Sequence, residues 1–200
     1  MPVRVSEKVE PRIRRIAAAP RRSGKPRAAT TASRIYSDLR TELVSLHRRP
    51  GEAISEAQIA LSYVRAHAEE FGISPEQLDH PIHLHVPAGA VPKDGPSAGV
   101  TMTTALVSLL LGRTVRAEVG MTGEVSLTGR VLPIGGVKQK LLAAQRAGLT
   151  EVYVPKRNEP DLDEVPADVL EALTVHIVSD VRDILRTALD QVSVSAVAAA

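Results

Sequence analysis

Ser97 stands in the string DGPSAGVTM, residues 94–102, where a Gly95-Pro96 bend gives way to an apolar run reaching Leu111. Glycine and proline favour a tight turn, and the run behind them reads as a buried or half-buried helix. A serine at or next to such a helix start has two uses. As a plain N-cap it satisfies an unpaired backbone N–H. As an acyl-transfer nucleophile it lies where free N–H groups and the positive end of the helix dipole stabilise charge developing on a carbonyl oxygen. The second use requires a base within hydrogen-bond reach, because a serine hydroxyl is a weak nucleophile at neutral pH.

Two kinds of base are on offer. In LPIGGVKQKLLAAQRAG, residues 132–148, paired glycines open an amphipathic helix that stops at Gly148, with Val137, Leu141, Leu142 and Ala144 at core spacing. Lys138 and Lys140 lie two apart on it, projecting about 200° from each other, so only one faces a given cleft. A lysine amine serves as a base when desolvation favours its neutral form. The other kind is histidine. His83 and His85 share one face of a strand pattern over 82–86, as a metal pair could, but no cysteine or second histidine pair completes a structural zinc site. The remaining histidines, His47, His67, His80 and His176, are scattered. No metal is expected.

The elements that must position these groups follow from periodicity. A helix is expected over 54–71 with Ser55 as its cap, then the strand at 82–86 and the nucleophile helix to Leu111. Residues 118–127 and 130–133 alternate around Thr128-Gly129 as a hairpin, followed by the lysine helix, a strand at 151–154, a helix at 166–173, a strand at 175–178 and a closing helix to about Val192. Strands alternating with helices indicate an α/β layered domain with a mixed sheet. The Ala/Val-rich tail, 193–200, is expected to fray.

Composition bounds the function. With 200 residues, 44% of them hydrophobic, the chain can build one ordinary core and a second small module at most. No run approaches the about twenty apolar residues of a membrane span, cysteine is absent, and the Arg-rich start lacks the apolar segment of a signal peptide. A cytoplasmic location is expected. Charge is unevenly divided: the first fifty residues hold 13 Lys/Arg against four acids and the rest 12 against 19, so the halves carry about +9 and −7. Residues 1–34 read as a basic, Pro/Ala-rich disordered arm able to contact nucleic acid weakly and non-specifically.

From about Ala57 to Leu189 the chain resembles the proteolytic domain of the Lon proteases, on DGPSAGVTM and MTGEVSLTGRVLPIGGVKQKLLAAQRAG together with IHLHVPAGAVPKDGPSAG and VYVPKRNEPDLDEVP. The resemblance implies a Ser-Lys dyad in which Ser97 is the nucleophile and Lys140 the general base. It implies that Thr122 helps to orient the lysine, that Asp94 is the acidic residue preceding the nucleophile, and that His83 and His85 have a structural or site-supporting role. It further implies hexameric rings and unfolded polypeptide as substrate.

Residues 33–60 are similar to the opening of the GntR-family winged helix-turn-helix, with a first helix, a Pro50-Gly51 turn and a second helix begun at Ser55. The recognition helix that would enter the major groove does not follow. The chain thus divides into the arm 1–34, a truncated regulator-like segment 35–56, a Lon-like domain 57–192 that is incomplete at its N-terminal edge, and the tail. The ATPase module typical of the family has a GxxxxGK[ST] phosphate loop; no such string occurs, and Gly24-Lys25 is followed by proline. The expectation is a serine endopeptidase with no cofactor in this chain, working without its own ATPase module or with an ATPase partner in trans. The alternative is an inactive chimeric fragment serving as an assembly or nucleic-acid-binding module.

Overall fold

The computed structural model describes residues 13–15, 55–86 and 96–193. Strand β1 is Ile13–Arg15. Helix α1 (Glu56–Ala66) opens on a reciprocal box in which the Ser55 hydroxyl accepts from the Gln58 amide and the Gln58 side chain accepts from the Ser55 N–H. The expected single helix then breaks at His67 into the turn α2 (Ala68–Phe71), and α3 (Pro75–Leu78) follows Gly72. After α4 (Gly99–Leu111) come β2 (Arg113–Val115), β3 (Val119–Met121), β4 (Glu124–Val125), β5 (Val131–Leu132), α5 (Val137–Arg146) and β6 (Glu151–Pro155). A 3-10 helix (Lys156–Glu164), α6 (Ala167–Ala172), β7 (Thr174–Val178), α7 (Val181–Ala188) and β8 (Leu189–Ser193) complete the order.

Four strands form a parallel sheet in the order β1-β7-β6-β3, and its two faces bury different side chains. Successive residues of a strand point to opposite faces. Val152 and Val154 of β6 and Val175 and Ile177 of β7 therefore join Val137, Leu141 and Val169 from α5 and α6 in one core. Tyr153 and Val178 join Tyr63, Val100, Val107 and Ile184 from α1, α4 and α7 in the other. Burial on both faces explains why these strands read as continuous apolar runs. The result is the layered α/β domain that the alternation of elements implies. At one end of the sheet Glu151 bonds both Arg116 and His176, and the Arg116 guanidinium holds the Glu151 carboxyl below the usual carboxylate range.

The antiparallel pairings lie apart from this sheet, as β4 with β5 and β2 with β8. The expected strand over 118–127 is divided at Thr122-Gly123, so that β3 pairs parallel with β6 while β4 turns to β5. Gly123 is required at the division: at φ 155° a Cβ would lie 2.7 Å from Val131 Cγ1 and 3.1 Å from Val100 Cγ1.

Three expectations are corrected. Residues 82–86 form no strand; a strand needs a partner for its N–H and C=O groups, none of the described strands lies beside this segment, and Leu84 and Val86 remain 36% and 41% exposed. The closing helix stops at Ala188 rather than near Val192. From Leu189 the chain pairs with β2, and the Arg113 guanidinium donates to the carbonyls of Leu189 and Asp190. Within the arm 1–34, Ile13–Arg15 are ordered as β1, in parallel register with Val175, His176 and Ile177, because the outer edge of β7 offers an unpaired ladder. The rest of the arm, the regulator-like segment up to residue 54 and the tail beyond 193 lie outside the described residues.

Candidate active site

The turn ahead of α4 is held through the backbone around Ser97. Helix α4 starts at Gly99 with Ala98 as its N-cap, so Ser97 lies one residue ahead of the cap, half-buried, and Ala98 brings no side-chain acceptor. The Ser97 carbonyl accepts from the Gly123 N–H at 3.0 Å and from the Thr122 hydroxyl at 3.3 Å. Val100 N–H donates back to the Gly123 carbonyl at 3.1 Å. Thr122 is itself buried and tied to β6 through its N–H and the Tyr153 carbonyl. The division between β3 and β4 thus serves as a strap across the Ser97 turn.

On the other side, Glu56 of α1 reaches across and accepts the Gly99 N–H at 3.0 Å. Burial pushes the Glu56 carboxyl above its ordinary range, while the Ala98 and Gly99 amides pull it down. Gly99 has no room for a side chain, since a Cβ would lie 2.7 Å from Val125 N and 3.3 Å from the Glu56 carboxylate. Gly99→Ala is expected to lower stability by about 1–3 kcal/mol through overpacking, seen as a reduced Tm. An unchanged Tm would mean that the α4–β4 contact yields freely.

Lys140 is positioned by a second loop. Gly136, at φ 70°, turns the chain into α5, and Val137, Leu141 and Ala144 bury one face of that helix, as their spacing predicts, with Leu142 partly buried. Lys140 is half-buried and its Nζ donates to the Gly135 carbonyl at 2.9 Å. The loop bearing Gly135 is clamped by Asn158, which accepts from the Ile134 N–H at 2.9 Å and donates to the Ile134 carbonyl at 2.8 Å. Asn158 is only 4% exposed, so these bonds replace a strand partner that the loop would otherwise lack.

The structure brings Ser97 and Thr122 into contact through the Ser97 carbonyl. Among the described residues no hydrogen bond joins the Ser97 hydroxyl to Lys140, whose amine is engaged at Gly135. Asp94 falls in 87–95, outside the described residues, and His83 and His85 are exposed. Lys138 is half-buried as well. A cleft of about 1060 Å³ opens elsewhere, against Val107, Leu111, Arg113, Arg130 and Asp183, and neither Ser97 nor Lys140 lines it. Sequence reasoning missed Glu56 and Asn158; the only local signal for either was an acidic residue in a first helical turn and an asparagine in a polar run.

A serine at a strapped helix start, followed by a strand division and a glycine-opened lysine helix, is matched by a family model. Residues 45–191 match the C-terminal proteolytic domain of Lon protease (S16). The chain belongs to that family. The match begins at residue 45, ahead of the expected boundary near 57. Over 151 residues the chain is 67% identical to the Lon protease of Mycolicibacterium smegmatis, covering 75% of this chain and 19% of that protein. Identity is 71% over 131 residues with the Lon protease of Frankia alni, covering 65% and 15%, and 57% over 141 residues with Lon protease 1 of Bacillus subtilis, covering 70% and 18%. This Lon-family chain therefore spans less than a fifth of the length of these relatives. Among its described residues no helix is long and apolar enough to cross a membrane.

Proposed function

We propose that this chain is a Lon-type serine endopeptidase unit that hydrolyses peptide bonds of unfolded polypeptide through Ser97 and Lys140. The observation that carries the reading is the clamped Ser97 carbonyl at the start of α4, in a domain of the Lon proteolytic family. Lys140 Nζ, unprotonated, accepts the Ser97 Oγ proton as Oγ attacks the substrate carbonyl carbon. The tetrahedral oxyanion collapses to an ester on Ser97, and the proton passes from Lys140 to the departing amine. Water then attacks the ester, giving a proton to Lys140; as the tetrahedral intermediate collapses Lys140 returns that proton to Ser97 Oγ, and the acid product leaves with the serine and the neutral amine restored. Lys140 Nζ donates to Gly135 and is not hydrogen-bonded to Ser97 Oγ, so the two must approach for the transfer, and the lone pair of the neutral amine is available for it while an N–H stays on Gly135. Thr122 keeps the serine backbone in place, and Asp94 enters this reading only as the acidic residue that the family resemblance sets ahead of the nucleophile.

The same reading places the chain in the bacterial cytoplasm, as a homo-oligomer of hexameric type. The purified chain is expected to cut an unfolded protein while sparing its folded form, at a rate unaffected by ATP and magnesium. Nucleotide-dependent degradation of the folded form by this chain alone would refute it. The inactive-fragment reading is favoured by one observation, the engagement of Lys140 at Gly135 instead of Ser97. It predicts no cleavage under any of these conditions. A regulator-like segment at 35–56 and nucleic-acid contact by residues 1–34 belong to that second reading, and binding lost at moderate salt would be its signature.

A further inference from the structure

We infer that Glu56 is a positioning residue for the nucleophile: from α1 it holds the first turn of α4, and with it the Ser97 backbone, in the geometry that acylation needs. This rests on the peptidase reading above. The Glu56 carboxylate accepts the Gly99 N–H at 3.0 Å, two residues beyond Ser97. Helix α4 has no local substitute, because its N-cap is Ala98 and its first turn contains no acidic residue. Glu56 is free for this purpose, since Ser55 and Gln58 cap α1 between themselves. It therefore does for α4, across the fold, what an N-cap side chain does locally.

The geometry around it leaves little slack. The α-carbon of Gly99 lies where any added Cβ would meet both Glu56 and the Val125 backbone, so the helix start is held between α1 and β4. Gly123 and Thr122 fix the Ser97 carbonyl from the β3–β4 side. Glu56 supplies the opposing hold. Removing one of two opposed restraints lets the turn shift, and a displacement of about 1 Å at a reacting atom can cost on the order of 100-fold in rate. Position 56 thus affects acylation without touching substrate.

The test compares the parent chain, Glu56→Ala, Glu56→Gln and Ser97→Ala, measuring the rate constant of Ser97 acylation by a fluorophosphonate, KM and kcat on an unfolded protein substrate, and Tm. Glu56→Ala is expected to slow acylation about 10- to 100-fold with KM within about twofold of the parent. Glu56→Gln, which keeps an oxygen acceptor at the same reach, is expected to recover acylation to within about threefold. The inference is overturned if Glu56→Ala acylates like the parent, or if Glu56→Gln stays folded by Tm and is as slow as Glu56→Ala. If Glu56→Ala does not fold, the glutamine variant alone decides: a parent-like rate upholds the acceptor role, and a rate reduced tenfold or more at unchanged Tm rejects it. A parent chain that never labels at Ser97 while remaining folded fails the peptidase reading itself, and the inference falls with it.

Discussion

Ser97→Ala is expected to abolish fluorophosphonate labelling and to lower peptide hydrolysis by at least about 1,000-fold, with the fold intact. The separation of the two effects follows from where the serine stands. Ser97 precedes the N-cap, and the interactions that hold its segment run through its backbone carbonyl, to Gly123 N–H and the Thr122 hydroxyl. Alanine keeps that carbonyl. A cap serine is worth about 1 kcal/mol, and a serine outside the cap position should cost less than that when removed. Tm should therefore change little while chemistry disappears. Hydrolysis persisting at the parent rate would remove Ser97 from the reaction, and a large fall in Tm would instead make its hydroxyl a structural group. The measurement is a paired one, labelling and melting on the same sample.

What was legible in the sequence and what was not divide along contact range. The start of α4, the buried face of α5 and the strands β6 and β7 were readable because each is encoded by a contiguous pattern: a Gly-Pro bend, 3.6-residue spacing, a run of β-branched residues. Ser55 was readable as a cap because its partner Gln58 is three residues away. Glu56 was not, since its partner Gly99 is 43 residues distant and nothing near either residue signals the other. Asn158, 24 residues from Ile134, is the same case. The errors have the same origin. Residues 82–86 have the alternation of a strand but no partner among the described strands, whereas residues 189–192 have the pattern of a closing helix and become a strand because β2 is there to pair with. Strand identity is settled by a neighbour that the local pattern cannot name. Family resemblance implied that Thr122 orients Lys140, and the contact found is between the Thr122 hydroxyl and the Ser97 carbonyl, 25 residues away.

Lys140→Arg is expected to stop acylation, and Lys138→Arg to leave it nearly unchanged. Both lysines belong to α5 and both are half-buried, so exposure does not distinguish them. Direction and chemistry do. Two residues along a helix amount to about 200° of rotation, which puts the two stems on opposite sides of α5. The Lys140 amine turns back to the Gly135 carbonyl, at the loop that Asn158 clamps. A base must surrender its own proton before it can take one from Ser97. An amine can do so, whereas a guanidinium stays charged at every working pH, so arginine at 140 preserves charge and length but not the function. Substitution at 138 changes neither the base nor the loop. The decisive measurement is the Ser97 acylation rate against pH for the parent and both variants, with Tm recorded for each. If Lys140→Arg acylates as fast as the parent, or Lys138→Arg is the dead variant, Lys140 is not the base; a dead Lys140→Arg chain with parent-like Tm, beside a parent-like Lys138→Arg, supports it as the base, an amine whose lone pair can accept the Ser97 proton while an N–H stays on the Gly135 carbonyl.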